Sequence, residues 1–252
     1  MELIQLSDEL WVQEIDLGIF EVRGSLVLGE ERALVWDSLS HPRDMEPYLP
    51  LIADRELTVV YSHADWDHIW GTAGLAQLPT TIVSHAVCAH RFRTDVPETL
   101  AKMQASEPGR WDEVQLVPPN LMMDNTCTLD LGGLTLELHH LPGHTDDCLI
   151  ALLPEQGFAL MGDTIETPFP VVPADSDLSG WIAQLRRWEG NAALTRIVPC
   201  HGPLGGRELI SQTIDYLERL QRGDAFELPA DMSPFYRETH ESNLKWREGR
   251  AL

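Results

Sequence analysis

The sequence has few cysteines and no long apolar run. Cys88, Cys127, Cys148 and Cys200 show neither paired nor CxxC spacing, so we expect no disulfide framework and a reducing compartment. No stretch approaches the length of a membrane span. The N-terminus also lacks the basic region and apolar segment of a signal peptide. We therefore expect a cytoplasmic protein without membrane partners.

Basic residues are also scarce. The chain has 18 Lys and Arg residues against 40 Asp and Glu residues, which gives a net charge of −22. Such a surface repels phosphate backbones, and no local basic patch is visible, so a nucleic-acid partner is not expected. A small-molecule substrate is the expected partner. The sequence is compatible with a homodimer and does not fix the oligomeric state.

No linker rich in Ser, Gly or Pro interrupts the 252 residues, so we predict one domain over residues 1–252. Two β-rich halves should face each other with helices outside, a layered α/β (α+β) fold. Residues 85–125 read as a mostly helical insertion with a lid role, and residues 223–252 as a C-terminal extension with a final helix. Apolar patterning also predicts helices at residues 43–52, 69–77, 178–189 and 207–222.

Candidate metal ligands follow several of the predicted strands. The segment from His63 to His68, with sequence HADWDH, comes directly after an apolar run. His144, Asp163 and His201 each follow a similar run downstream. Imidazoles and carboxylates gathered at strand ends are typical of a divalent metal site.

The spacing of these residues suggests how they share two ions. Residues two apart point to the same side of an extended backbone, so His63 and Asp65 can reach one ion. Asp67 and His68 lie where the chain turns into a helix and can face a second ion. Asp163 could bridge both ions, with His144 and His201 completing one side each. Asp37, at another strand end, either caps a turn or orients a ligand from behind.

With these motifs in order, the chain resembles the metallo-β-lactamase superfamily from about residue 10 to residue 222. The resemblance implies a four-layer αββα sandwich with the metals at one edge. It implies that His63, Asp65 and His144 hold the first ion, that Asp67, His68 and His201 hold the second, and that Asp163 bridges them. Asp65 departs from the usual HxHxDH pattern, because this chain has HxDxDH.

The resemblance implies two divalent ions as cofactors. Zinc is the expected metal, but the carboxylate of Asp65 should soften Lewis acidity and favour harder ions such as manganese or iron. Cys200, next to His201, could touch metal only if its turn were rearranged, and the alternative is a small buried cysteine.

The leading functional interpretation is a hydrolase. Hydroxide generated at the metals would attack an ester, lactone, thioester or phosphoester, with Asp67 as catalytic proton shuttle. One alternative is a non-haem iron oxidoreductase, either di-iron or like a persulfide dioxygenase. Another is a catalytically silent metal-binding scaffold.

Substrate selection is expected from the insertion, with Trp66, Trp70 and the Phe235–Tyr236 pair contributing. Met103, Trp111, Met122 and Met123 either line an apolar pocket or pack the insertion on the core.

Overall fold

Two sheets stack face to face in the computed structural model, which describes residues 3–78 and 80–250. The first sheet has strand order β1-β2-β3-β4-β5-β6-β7 and the second β12-β11-β10-β9-β8. The strands of the first sheet are β1 Leu3–Gln5, β2 Leu10–Asp16, β3 Glu21–Leu28, β4 Arg32–Trp36, β5 Glu56–Val60, β6 Thr80–His85 and β7 Leu121–Met123. Those of the second are β8 Thr126–Asp130, β9 Thr135–His140, β10 Leu149–Leu153, β11 Phe158–Gly162 and β12 Arg196–Pro199.

Helices cover the outer faces of both sheets. The α-helices are α1 Leu49–Ile52, α2 Trp66–Ile69, α3 Ala86–Arg91, α4 Asp95–Ser106, α5 Leu178–Glu189, α6 Glu208–Arg222 and α7 Pro234–Arg250. Two 3₁₀ helices, Pro42–Tyr48 and Trp70–Leu75, adjoin α1 and α2. Among the described residues, no helix combines the length and apolar character needed to cross a membrane.

Alternation along the strands divides the core into layers. In β10, Leu149 and Ala151 face the first sheet, whereas Ile150 and Leu152 face α5 and α6. This two-residue period places one apolar layer between the sheets and one under each set of helices. The predicted four-layer αββα sandwich is therefore confirmed.

Parallel pairing brings the candidate ligands to one edge. β4 pairs in parallel with β5, and β11 pairs in parallel with β12. The C-terminal ends of parallel neighbours lie at the same edge of a sheet. The contact of Cys200, after β12, with Asp37, after β4, at 3.2 Å brings the two edges to one side of the molecule.

The helices predicted at residues 43–52 and 69–77 are present, but each is partly 3₁₀ and the bounds differ. The first is a 3₁₀ helix followed by one α-helical turn, because Pro47 and Pro50 lack the amide hydrogens that a continuous α-helix needs. The second begins earlier, at Trp66, and becomes 3₁₀ from Trp70. Its Gly71 packs so closely on the chain that an added Cβ would lie 1.7 Å from the carbonyl oxygen of Ser38.

Two short strands were not predicted from the sequence. β7 lies inside the supposedly helical 85–125 segment and pairs in parallel with β6, with Leu121 opposite Val83. β1 pairs antiparallel with β2. Both contain three residues, too few for a two-residue period to emerge from the sequence. The helices predicted at residues 178–189 and 207–222 are confirmed as α5 and α6, with α6 beginning at Glu208. Residues 251 and 252 of the predicted C-terminal extension lie outside the described residues.

Candidate metal centre

The seven predicted ligands come together at the sheet edge. The His63–His68 segment follows β5, Asp163 follows β11 and His201 follows β12, while His144 lies in the β9–β10 connection. Asp65 keeps an extended backbone and immediately precedes α2, which carries Asp67 and His68. The change from strand to helix within six residues lets neighbouring side chains face different sides of one centre.

Each of the four imidazoles is held through its Nδ1 atom. The partners of His144 and His201 are the carbonyl oxygens of Val171, at 3.1 Å, and Glu21, at 2.7 Å, so these two rings donate from Nδ1. His63 Nδ1 lies 2.9 Å from Ser62 Oγ, and His68 Nδ1 lies 3.0 Å from a carboxylate oxygen of Asp37. In every case the Nε2 atom is left facing the centre, where it can bind a metal.

The carboxylate of Asp163 lies among all four rings. Its Oδ2 atom is 3.3 Å from the Nε2 of His201, 3.4 Å from that of His68, 3.6 Å from that of His63 and 3.8 Å from that of His144. No other described carboxylate oxygen has ion-pair contacts with all four rings. Asp163 therefore lies at the middle of the four rings.

The remaining carboxylates divide the rings into two groups. Asp65 Oδ2 lies 3.3 Å from His144 Nε2 and 3.6 Å from His63 Nε2. Asp67 Oδ2 lies 3.5 Å from His201 Nε2 and 3.7 Å from His68 Nε2. These are the two ligand groups that the sequence suggested, with Asp163 between them.

Three buried atoms of this centre lack a hydrogen-bond partner among the described residues: His63 Nε2, His68 Nε2 and Asp163 Oδ1. A buried polar group without a partner is costly, by roughly 1–3 kcal/mol. Divalent cations would satisfy all three atoms, since neutral imidazole and carboxylate are ordinary ligands for such ions. The residues present therefore fit a metal centre.

Burial and opposite charge set the pKa values here. Burial would raise the pKa of Asp65, but His63 and His144 hold it well below its ordinary value. Burial would likewise raise the pKa of Asp163, and His201 and His68 lower it well below its usual range. Both carboxylates are thus ionised and available to cations at neutral pH.

Asp37 lies directly behind the centre and orients His68. Its buried carboxylate accepts hydrogen bonds from Ser62 N at 2.7 Å and Ser62 Oγ at 2.8 Å, and it contacts His68 Nδ1 at 3.0 Å. Cys200 donates its thiol to the same carboxylate at 3.2 Å. Of the two roles that the sequence left open for Asp37, the geometry supports orientation of a ligand. Cys200 is a small buried residue that supports Asp37.

A cavity of about 460 Å³ opens beside the first ligand group. His144 and Asp65 form part of its wall, and Arg91 lies in the wall beside Asp65. The remaining charged residues are mostly acidic: Asp95, Asp146, Asp147 and Asp175. The cavity can therefore admit a small molecule next to the metal centre, in an acidic setting.

Aromatic residues border the second ligand group. The ring of Phe20 lies 5.1 Å from that of His201 and 4.8 Å from that of Phe235. Trp111, in contrast, is buried in the core and packs against Trp66 at 5.3 Å. The packing alternative therefore holds for Trp111, while Phe235 lies near the site.

Sequence reasoning missed several residues of the site. Asp147 is fully buried and accepts a hydrogen bond from Ala64 N at 2.8 Å, inside the HADWDH segment. Arg91 reaches Asp65 from the end of α3, at 2.7 Å. Burial raises the pKa of Glu166 to about 7, and its Oε1 atom has no hydrogen-bond partner among the described residues. Only the Asp146–Asp147 pair near His144 gave a local signal of these partners.

Comparison with known proteins agrees with the fold and the centre. The human acyl-coenzyme A thioesterase MBLAC2 is 26% identical over 223 residues, covering 77% of this chain and 78% of that protein. The metallo-beta-lactamase type 2 of Bacillus cereus is 25% identical over 234 residues, covering 86% of this chain and 83% of that protein. A solved metallo-beta-lactamase structure from Pontibacter korlensis superposes with a TM-score of 0.68 at 21% identity, covering 86% of this chain and 98% of that one. The sequence profile of the metallo-beta-lactamase superfamily matches residues 20–229, and the chain belongs to that superfamily.

Proposed function

We propose that the protein is a binuclear metal-dependent hydrolase. The observation that carries the proposal is the arrangement of four imidazole Nε2 atoms around Asp163 Oδ2, at 3.3 to 3.8 Å. His63, Asp65 and His144 would hold one ion, Asp67, His68 and His201 the other, and Asp163 would bridge them. Zinc is the expected metal, with manganese and iron as alternatives because of Asp65.

Divalent ions held here would supply an activated water and polarise the bond that is cleaved. Asp67 would hold a proton beside that water on the carboxylate oxygen that does not bind the ion, and the buried position of its side chain at the centre supports this role. His144 and His201 keep their orientation through the backbone carbonyls that accept from their Nδ1 atoms. The chain's own contribution is thus to fix the ligands and to move one proton.

We infer that the substrate is an ester, a lactone or a thioester. The human relative is named as a thioesterase, which supports cleavage at an acyl carbon. The acidic cavity beside Asp65 favours an acyl substrate without phosphate groups, since carboxylates repel a phosphate group.

The carboxylate of Asp65 also favours a second candidate, an iron-dependent oxidoreductase, because hard oxygen ligands suit iron. Predominant iron together with thiol-dependent oxygen uptake would support this candidate over a hydrolase. Tight metal binding without turnover of any ester, lactone, thioester or phosphoester would instead indicate a scaffold.

The first experiment is elemental analysis of protein expressed with zinc, manganese and iron all available, followed by a panel of esters, lactones, thioesters and phosphoesters. We expect two equivalents of metal per chain and hydrolysis of an acyl substrate. A chain that binds no metal would contradict the proposal.

Replacement of the bridging residue makes the test specific. Asp163→Asn should lower metal content and remove nearly all turnover, because its carboxylate contacts both ligand groups. The exposed Asp54 provides a matched control, and Asp54→Asn should retain both metal and activity. Full activity and metal content in Asp163→Asn would refute the bridging role.

A further inference from the structure

The two oxygen atoms of Asp65 face different partners. Oδ2 points toward the first ligand group, 3.3 Å from His144 Nε2 and 3.6 Å from His63 Nε2. Oδ1 lies 2.7 Å from Nη2 of Arg91. A carboxylate held in this way has a single oxygen left for an ion.

Arg91 is itself held on two further sides. Its Nε and Nη2 atoms donate to Asp95 Oδ2 at 3.0 and 2.8 Å. Its Nη1 atom donates to Asp147 Oδ1 at 3.2 Å. Four of the five N–H groups of the guanidinium donate to carboxylates, so Arg91 is held in place chiefly by the protein itself.

Asp147 connects this arginine to the backbone of the ligand segment. It is fully buried, and its Oδ2 atom accepts from Ala64 N at 2.8 Å while Oδ1 contacts Arg91. Ala64 directly precedes Asp65, so the backbone and the side chain of the segment are tied to the same guanidinium. The network therefore fixes where Asp65 points.

The charge of Arg91 also offsets part of that of Asp65. A carboxylate adds one negative charge to a site where an imidazole would add none, and the guanidinium 2.7 Å away carries one positive charge. Arg91 shares this charge with Asp95 and Asp147, so it offsets part of the charge that Asp65 brings to the site.

From these contacts we propose that Asp65 and Arg91 act as one unit at the first ion, with Arg91 as a positioning residue for the carboxylate. Arg91 holds Oδ1 so that Oδ2 alone faces the ion, and it offsets part of the extra charge. The inference rests on the metal centre proposed above. It goes beyond that proposal because it assigns the first ion's affinity to a residue that contacts no ion.

The test measures binding of Zn²⁺ and of Mn²⁺ to the chelator-treated protein by competition with a chromophoric chelator. Arg91→Met should lower the affinity for one of the two ions by about 10- to 100-fold, which is the usual effect of losing a residue that orients a ligand. The other ion should bind as before. The exposed Arg93, two residues further along, gives the control Arg93→Met, which should bind both ions as the unmodified chain does.

Two backgrounds identify the ion that is affected. In His201→Ala, which keeps the first ligand group, Arg91→Met should produce the same weakening. In His144→Ala, which removes a first-ion ligand, it should have no further effect. Weakening in the second background instead of the first would overturn the inference.

Failure of the inference is distinguishable from failure of the metal centre. No metal bound to the unmodified chain would refute the centre itself, whereas two ions bound equally well with and without Arg91→Met would refute only the role of Arg91.

Thermal melting reports whether Arg91→Met folds. If it does not fold, Arg91→Lys replaces it, because lysine keeps the charge but lacks the planar fork. Arg91→Lys should also weaken the first ion, and an unchanged affinity would refute the positioning role.

Discussion

Single residues set the proton balance of this centre. Burial would lower the pKa of His144 and His201 from 6.5, but neighbouring carboxylates raise the values to about 9 for His144 and about 10 for His201. The principal carboxylates are Asp65 for the first ring and Asp163 for the second. Both imidazoles therefore retain protons at neutral pH until an ion displaces them.

This balance predicts opposite pH trends for folding and for metal binding. In chelator-treated protein, the raised pKa values stabilise the fold below about pH 6.5, and this contribution is lost as pH rises through 9 and 10, so the melting temperature should fall between about pH 7 and about pH 10. Zinc affinity should rise over the same range, because ions compete with fewer protons.

Calorimetry in two buffers of different ionisation enthalpy checks the prediction at neutral pH. Zinc binding should release protons, so the measured heats should differ between the buffers. A variant with both His144→Ala and His201→Ala should lose part of this difference, because the pKa of His68 is also raised by its carboxylate neighbours and that ring still releases a proton. Equal heats in the two buffers for the unmodified chain would contradict the assignment.

At the scale of secondary-structure elements, α7 supports the centre from a distance. Asn243 is buried on this helix and accepts from Val172 N at 3.0 Å, while it donates to the Pro170 carbonyl at 2.8 Å. Val171, between these two residues, provides the carbonyl that holds His144 Nδ1. We therefore propose that the C-terminal extension belongs to the same domain as the metal centre.

Removing the hydrogen bonds of Asn243 should destabilise the protein and lower the affinity for the first ion. Asn243→Ala leaves Val172 N–H and the Pro170 carbonyl without their partner, which should lower the free energy of unfolding by roughly 1–3 kcal/mol. Denaturant unfolding measures that change, and metal competition measures the effect on the ion held by His144. The exposed neighbour Ser242 offers the control Ser242→Ala, which should change neither. An unchanged unfolding free energy in Asn243→Ala would show that α7 docks without this network.

The elements that the sequence predicted well are those with a strong local signal. Strands β5, β11 and β12 are short apolar runs, and each is followed within three residues by a predicted ligand, so the strand and the ligand could be predicted together. Helices α5 and α6 each have one apolar and one polar face. They contain 12 and 15 residues, which is long enough for the helical period to be clear in the sequence.

The supporting residues could not be predicted because their partners are distant in the chain. Arg91 is 26 residues from Asp65, and Asp147 is 83 residues from Ala64. An arginine at the end of a helix and an aspartate in a loop are ordinary surface residues by sequence alone. Only the packing of α3 against the β9–β10 connection brings them behind the ligands.

The charge of the whole molecule bears on what can enter the site. The chain carries −22, and the cavity beside the centre has Asp95, Asp146, Asp147 and Asp175 in its wall. Its one arginine, Arg91, is already paired with three carboxylates. Away from the ions themselves, an anionic substrate group would therefore meet repulsion both on approach and at the cavity wall.

This field predicts a charge preference among otherwise matched substrates. Esters that carry a trimethylammonium group or no charge should have higher kcat/KM than isosteric esters that carry a carboxylate. The difference should shrink as ionic strength rises from about 0.01 M to about 0.15 M, where the screening length falls from about 30 Å to about 8 Å. Asp175→Asn, at the exposed rim, should narrow the difference, whereas the exposed Asp54→Asn should leave it nearly unchanged. If the carboxylate ester were instead preferred, and if salt reduced that preference, the substrate would approach along a basic path. Phosphate-bearing substrates such as coenzyme A thioesters require a path of this kind. In that case the acidic cavity would not be where the substrate binds.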